Sequence, residues 1–224
     1  MDKTLKEKYS KKKIIAALSL LTLFVLWTVA VSFVNVRAIG PEGSPVGFAI
    51  LNSFVHKLTG VHMALYTITD WLGILPLGIM FAFAALGLSQ WIRRKSIFKV
   101  DRSIIMLGVF YIFVAIVYLL FETIIINYRP VLIEGILEAS YPSSTTVLAL
   151  CIIPTAMMQF NIRIRNRAVR YAVLTVLAAL ASFMVIGRFI SGVHWASDII
   201  GGTLLSAGMV VLYDFICSLR ITKE

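Results

Sequence analysis

The stretch RRKSIFKVDRSIIMLGVFYIFVAIVYLLFETIIINYRP, residues 93–130, joins three kinds of sequence whose order decides the fold. It begins with five Lys or Arg residues between positions 93 and 102, continues as a largely apolar run over roughly residues 103–126, and ends on Arg129-Pro130. An α-helix of about 20 apolar residues is long enough to cross the hydrocarbon core of a bilayer. The stretch therefore predicts a transmembrane helix with a basic segment at one end and an arginine at the other.

The same pattern recurs along the whole chain. Of its 224 residues, 59% are hydrophobic and the mean hydropathy is +0.91, whereas soluble domains are usually about 45–50% apolar. Backbone amides find no partner in lipid, so segments that span it form helices or closed barrels. We therefore predict an all-α fold, a polytopic membrane helix bundle. Its six predicted transmembrane helices cover roughly residues 14–36, 64–92, 103–126, 145–160, 168–190 and 198–218.

These spans predict the domain organisation. Residues 14–218 form one six-helix membrane domain, between a basic N-terminal segment over residues 1–13 and a tail over residues 219–224. The first apolar run is longer than the roughly 7–15 residues of a signal peptide, so we interpret it as an uncleaved helix. The longest connector, residues 37–63, is predicted to lack regular structure because four residues interrupt it: Gly40, Pro41, Gly43 and Pro45.

The distribution of basic residues predicts the orientation. Of the 21 Lys and Arg residues, 17 lie in four segments that a six-span topology places on one side of the membrane. These segments are residues 1–13, 93–102, 161–170 and 220–224. Because short loops rich in Lys and Arg stay in the cytoplasm, both termini are predicted to be cytoplasmic, in a multi-pass protein of the cell membrane. The same loops account for the formal net charge of +10, and no nucleic-acid partner is expected.

Segments on the opposite, extracytoplasmic side carry polar groups typical of a phosphate site. Arg129 and Arg188 offer forked donors that match phosphate oxygens. Ser143 and Ser144 follow Pro142 at a predicted helix start, where hydroxyls cap the helix and free backbone amides bind anions. Charged side chains at membrane depth are costly, so their presence indicates a function.

His194 and Asp198 form the predicted reactive pair on the same side. They are four residues apart, so they can share one face of a helix. Asp198 is then expected to hold one ring nitrogen of His194 and to leave the other free as a nucleophile or base.

Taken together, these segments resemble the three-part signature of the type 2 phosphatidic acid phosphatase superfamily. The family pattern is Lys, six residues and Arg-Pro, then Pro-Ser-Gly-His, then Ser-Arg, five residues, His, three residues and Asp. At the same spacings the chain has Glu122 and Arg129-Pro130, then Pro142-Ser143-Ser144-Thr145, then Gly187-Arg188, His194 and Asp198. The six-span layout is that of the membrane lipid phosphatase branch.

The resemblance implies hydrolysis of lipid phosphates or diphosphates, a class that includes phosphatidate, phosphatidylglycerol phosphate and undecaprenyl diphosphate. By that resemblance His194 is the nucleophile that forms a phosphohistidine, and Asp198 orients it. The implied phosphate-binding residues are Arg129, Arg188, Ser143 and Ser144. No metal or other cofactor is implied, and the expected partners are the lipid substrate and membrane lipids.

Two positions depart from the family pattern. Glu122 stands where the family has Lys, and Thr145 stands where the family has the His that protonates the leaving oxygen. A threonine hydroxyl is not a general acid near pH 7. A lipid alkoxide needs that proton, whereas a lipid monophosphate, with a pKa of about 6, can leave a diphosphate without one. The sequence therefore predicts a preference for diphosphate lipids.

Four polar residues are candidate accessory groups, each with an ordinary alternative. Glu122 is interpreted as an ion-pair partner of Arg129 as readily as a catalytic group. Asp70, in the outer half of the second span, either pairs with a site arginine or faces water. His56 and His62 either replace the missing acid or are ordinary loop histidines.

Two functional hypotheses follow from these residues. The first is a lipid phosphatase or diphosphatase that acts through His194, and the alternative is a degenerate relative that binds or transfers lipid phosphates without hydrolysis. A transporter is disfavoured because only Asp70 lies well inside a span and no paired broken helices are predicted. The sequence leaves the substrate lipid and the oligomeric state open.

Overall fold

The computed structural model describes the backbone of residues 3–220 and the side chains of residues 9–219. Within this range the helices are α1 (Lys3–Phe33), α2 (Ala49–Thr59), α3 (Met63–Leu72), α4 (Ile74–Arg94), α5 (Arg102–Thr123), α6 (Ser144–Arg163), α7 (Arg167–Ile190) and α8 (Ala196–Arg220). Two short strands, β1 (Arg37–Ala38) and β2 (Pro45–Val46), pair in antiparallel fashion. Single 3₁₀ turns lie at Pro41–Gly43 and Ile97–Lys99.

Six segments are long and apolar enough to cross a membrane, as predicted. They are Tyr9–Phe33, Met63–Arg94, Arg102–Thr123, Ser144–Arg163, Arg167–Ile190 and Ala196–Leu219. The second of them consists of α3 and α4, which meet at Gly73. The third ends three residues earlier than predicted, and the fourth extends at both ends. The predicted all-α membrane bundle is confirmed.

The connector over residues 37–63 is more ordered than the sequence predicted. The four interrupting residues cluster in the hairpin formed by β1 and β2, where Gly43 takes a positive φ of 72°. Residues 49–59 therefore remain free to form α2. The prediction of an irregular connector was wrong because the interrupting residues occupy one turn instead of the whole segment.

The predicted terminal segments have little separate structure. The basic residues before position 14 continue α1, which already begins at Lys3. Of the predicted tail, residues 219 and 220 belong to the end of α8. Residues 1–2 and 221–224 lie outside the described residues.

The bundle is built around α6, which packs against α4, α5, α7 and α8. This span is the least apolar of the six and has the largest buried share. Its buried polar side chains include Thr146, Thr155 and Gln159, which face the protein interior instead of lipid. Because α6 is central, its first turn lies where the ends of neighbouring helices converge.

Helix α1 packs lengthwise against α8. At one crossing a Cβ on Gly208 would come within 2.8 Å of the Leu21 side chain, so this glycine allows close approach. Near the start of α8, a Cβ on Gly201 would lie 2.6 Å from the ring of Tyr141, which belongs to the loop before α6. Tyr141 in turn shares a hydrogen bond of 2.7 Å with Thr28 of α1. These contacts fix the start of α8 against the loop that precedes α6.

Candidate active site

The predicted site residues converge at one end of the bundle. The connection between α5 and α6 contributes Arg129, the first turn of α6 contributes Ser143 to Thr145, and the last turn of α7 contributes Arg188. The α7–α8 turn contributes His194, and Asp198 lies in the first turn of α8. Asp70, near the end of α3, reaches the same place. Residues that are up to 128 positions apart in sequence thus share one site.

The turn between α7 and α8 is packed tightly against the α2–α3 connection. Gly192 has a φ of +65°, and a Cβ there would lie 1.8 Å from the carbonyl oxygen of Gly60. The backbone amide of His62 donates to the carbonyl of Ser191 at 2.9 Å. A residue with a side chain at position 192 would therefore displace the turn that carries His194.

The ring of His194 is buried and held on one side only. Its Nδ1 lies 3.1 Å from the hydroxyl of Ser140 and 3.1 Å from the carbonyl oxygen of the same residue. Its Nε2 is buried and has no hydrogen-bond partner among the described residues. Burial lowers the pKa of His194 to about 4; Asp198 opposes this, while Arg129 and Arg188 reinforce it. The ring is therefore neutral at pH 7.

Asp198 is fully buried and accepts several hydrogen bonds. Its donors are the hydroxyl of Ser140, the backbone amide of Trp195 at 2.9 Å and the amide nitrogen of Asn127 at 3.2 Å. The expected direct bond to His194 is not made, because the nearest atoms are 3.8 Å apart. The spacing rule for one helical face does not apply here, since α8 begins at Ala196.

Arg188 is 1% exposed and is surrounded by polar partners. Its Nη2 donates to Asp70 at 2.5 Å and to the hydroxyl of Thr145 at 2.6 Å. Its guanidinium lies 4.5 Å from the centre of the Tyr66 ring. Of the two alternatives for Asp70, the ion pair with a site arginine is the one observed.

Arg129 lies across the same tyrosine ring, 5.6 Å from its centre. Its Nε lies 3.0 Å from a carboxylate oxygen of Glu138. Of the two alternatives for Glu122, the ion pair with Arg129 is not observed among the described residues, because α5 ends at Thr123 and the helical spacing does not continue to position 129. Instead a bridge between Tyr128 and Ala139 sets Arg129 beside Glu138.

The first turn of α6 presents backbone amides at the site. The first backbone bond of this helix runs from the amide of Val147 to the carbonyl of Ser143, so the amides of residues 144–146 precede it. The predicted capping by the Ser143 hydroxyl is absent, since that oxygen accepts from the Thr146 hydroxyl at 3.0 Å. The Tyr141-Pro142 peptide bond that leads into the turn is cis.

A pocket of about 20 Å³ opens beside His194. Its walls are formed by α5, the connection between α5 and α6, the start of α6, the α7–α8 turn and α8. The polar side chains in its lining include Tyr118, Glu122, Ser140, Ser144 and His194. Glu122, the position where the family has Lys, thus shares a pocket with the predicted nucleophile.

Residues 121–214 match the family model of the PAP2 superfamily. The predicted resemblance to that superfamily is confirmed over these residues. The fold is similar to the crystal structure described as the first transmembrane PAP2 type phosphatidylglycerolphosphate phosphatase from Bacillus subtilis. The two chains are 16% identical, with a TM-score of 0.57, over 90% of this chain and 95% of the other. No curated protein matches the sequence.

Two of the predicted accessory groups lie away from the pocket of this PAP2 fold. His62 is exposed and its Nε2 is 2.8 Å from the carbonyl of Thr59. His56 packs its ring on Trp195, with 5.4 Å between ring centres. Neither is among the described residues that line the pocket, whereas Glu122 is.

Several polar residues of the candidate site were not predicted from the sequence. Asn52 of α2 donates to the Ser197 hydroxyl at 2.9 Å and accepts from the Ser197 amide at 3.1 Å. Asn127 links Asp198 to the backbone amide of Gly47. Ser140 lies two residues before Pro142-Ser143, and Asn127 lies two residues before Arg129-Pro130, which is a usable signal. Asn52 has no such neighbour.

Proposed function

We propose that this PAP2-superfamily protein is an integral-membrane lipid phosphatase or diphosphatase that uses His194 as its nucleophile. The observation that carries the proposal is the buried Nε2 of His194, which has no hydrogen-bond partner among the described residues. A buried polar atom without a partner is costly, so such an atom indicates a functional role. Arg129 and Arg188, which would bind a phosphate, both act electrostatically on this ring.

The proposed reaction has two steps, formation of a phosphohistidine and its hydrolysis. The lone pair of His194 Nε2 forms a bond to phosphorus, and the bond from phosphorus to the leaving oxygen breaks with its electron pair on that oxygen. Water then attacks the phosphorus of the phosphohistidine, and the N–P bond breaks with its electron pair returning to Nε2. The protons of the water leave on the inorganic phosphate. Arg129, Arg188 and the turn at Ser143 and Ser144, with the backbone amides of residues 144–146, would hold the phosphoryl oxygens.

We further propose a preference for diphosphate lipids, which Thr145 supports. Its hydroxyl accepts a hydrogen bond from Arg188 and is not a general acid near pH 7. A diphosphate supplies a leaving group that departs unprotonated, with a pKa of about 6. A monoester would leave as an alkoxide and would need a proton.

We place the site at the extracytoplasmic face of the cell membrane, with both termini in the cytoplasm. The supporting observation is that the basic loops 93–102 and 161–170 lie at the bundle end opposite the site. The test is labelling of single cysteines at Ile136 and Phe98, which are exposed at the two ends, after Cys151 and Cys217 are replaced by Ala. An impermeant maleimide should label position 136 in intact cells and position 98 only after permeabilisation. The reverse pattern would contradict the orientation.

One observation favours the alternative, a degenerate member that binds or transfers lipid phosphates without hydrolysis. Both phosphate arginines already have carboxylate partners, Asp70 and Glu138. An incoming phosphate must compete with these carboxylates, and Thr145 adds no acid. Under this alternative, lipid phosphates bind but no phosphate is released.

Phosphate release by the purified protein separates the two functions. The substrates are matched pairs of lipid monophosphates and diphosphates with the same chains, presented in mixed micelles. We expect release from at least the diphosphates, and none in His194→Ala. Binding of these lipids without release by the unaltered protein would support the alternative instead.

A further inference from the structure

The link between Asp198 and His194 is indirect. The two side chains come no closer than 3.8 Å, which is beyond hydrogen-bond distance. Ser140 lies between them, because its hydroxyl bonds to Oδ2 of Asp198 and lies 3.1 Å from Nδ1 of His194. The carboxylate can therefore act on the imidazole through this hydroxyl.

The direction of the hydrogen bonds follows from what each group can donate. An ionised carboxylate only accepts, so the Ser140 hydroxyl gives its proton to Asp198. The lone pairs of that hydroxyl then accept from His194. The carbonyl oxygen of Ser140, also 3.1 Å from Nδ1, can only accept as well. Both contacts require the ring proton on Nδ1, which leaves the lone pair on Nε2.

Ser140 is itself held firmly in this position. Its backbone amide donates to the carbonyl of Asn127 at 2.9 Å, and the amide of Arg129 donates to the carbonyl of Glu138 at 3.0 Å. Ser140 is buried, and the side chain of Asn127 bonds to Asp198. Ser140, which contacts the His194 ring, and Asp198, whose carboxylate acts on that ring, are thus both hydrogen-bonded to Asn127.

We propose that Ser140 is a positioning residue, which holds His194 in the Nδ1-protonated form and carries the influence of Asp198 to it. The proposal rests on the proposed role of His194 as nucleophile. When Nε2 bonds to phosphorus the ring becomes positive, and the Nδ1 proton stays in place, donated to Ser140. The leaving oxygen takes the electron pair of the broken bond, so no proton moves along the Ser140–Asp198 link.

The first test reads the tautomer of the full-length protein directly. ¹⁵N-histidine NMR at pH 7 resolves His194 from His56 and His62, with His194→Ala giving the assignment. We expect Nδ1 to carry the proton and Nε2 to show the shift of an unprotonated nitrogen. A proton on Nε2 would overturn the proposal. This measurement does not depend on activity, so an inactive protein with the expected tautomer would sink the proposed function and leave the positioning of His194 supported.

The second test is a double-mutant cycle with Ser140→Ala and Asp198→Asn. We expect Ser140→Ala to lower kcat by roughly 10–100-fold with little change in KM, as when a partner orienting a functional histidine is lost. If Asp198 acts through Ser140, the double variant is no slower than the slower single variant. Multiplicative effects of the two changes would overturn the proposal.

Two variants guard against a purely structural explanation. Ser140→Thr keeps a hydroxyl at the same place and should recover most of the lost kcat. Ser206→Ala removes another fully buried serine hydroxyl, which donates to the carbonyl of Gly202 in its own helix, and should leave kcat unchanged. Equal losses in Ser140→Ala and Ser140→Thr would contradict a role for the hydroxyl.

Discussion

The two ends of the bundle each contain an arginine paired with an aspartate, yet the two pairs differ in surroundings. At the site end, Arg188 is 1% exposed and also bonds to Thr145. At the other end, Arg94 is 43% exposed and bonds to Asp101, which also contacts Arg163. Exposed ion pairs contribute about 0–1 kcal/mol. In the pair at the site only the guanidinium of Arg188 is buried, since the side chain of Asp70 is 57% exposed. An arginine–aspartate pair therefore does not distinguish the two ends of the bundle. The burial of the arginine side chain does.

The strongest way to test this comparison is to remove the proposed nucleophile, His194. His194→Ala should abolish phosphate release, because no other described side chain in the pocket offers a buried imidazole. His62→Ala is the matched control, since His62 is exposed and lies outside the pocket. The measurement is the initial rate with a diphosphate lipid. Undiminished turnover in His194→Ala would remove the phosphohistidine mechanism.

The next largest effect compares the two arginines directly. Arg188→Ala should lower kcat/KM by about 10²–10³-fold, as when one donor to a developing charge is lost. Arg94→Ala should leave kcat/KM unchanged, because its pair is exposed and lies at the far end. Arg188→Lys keeps the charge but loses the two parallel donors of the guanidinium, so its kcat/KM should lie between those of Arg188→Ala and Arg94→Ala. Equal losses at both positions would show that the effect is on folding.

A smaller and selective effect is expected at Thr145. Thr145→His should raise kcat/KM for a lipid monophosphate by up to about 10²-fold, if the imidazole reaches the leaving oxygen. The rate with the matched diphosphate should change much less, since that group leaves unprotonated. Both substrates are measured in both proteins. An equal change for both substrates would mean that position 145 acts through its bond to Arg188.

The smallest effect concerns pH. Burial lowers the pKa of His194 to about 4, from about 6.5 in an unfolded chain. The free energy of unfolding is therefore unaffected by this ring above pH 6.5, where it is neutral in both states. It decreases as the pH falls from 6.5 towards 4, because only the unfolded chain takes up the proton. The ¹⁵N shifts of His194 should stay constant from pH 8 to pH 5.5 and change near pH 4. A midpoint between pH 6 and 7 would contradict the burial of the ring.

Much of the site could be predicted because its residues lie in fixed local motifs. The spacing of Arg188, His194 and Asp198 and the apolar runs gave the correct grouping at one end of six helices. The partners of these residues could not be predicted, because they come from other segments. Asp70 reaches Arg188 across 118 positions and Asn52 reaches Ser197 across 145. A pairing rule within one helix failed for Glu122 since the helix ends first.

The segment from Asn127 to Ser140 makes the two halves of the site mechanically inseparable. It folds back on itself as a narrow hairpin, closed near its tip by the bridge between Ile133 and Ile136, and carries Arg129 on one arm and Ser140 on the other. Side chains alternate along paired arms, so deletion of one residue from an arm would turn Arg129 or Ser140 away from the site. Residues at the tip, around Gly135, face no such restriction. An affinity tag or fluorescent label inserted there would report on the protein without altering its chemistry.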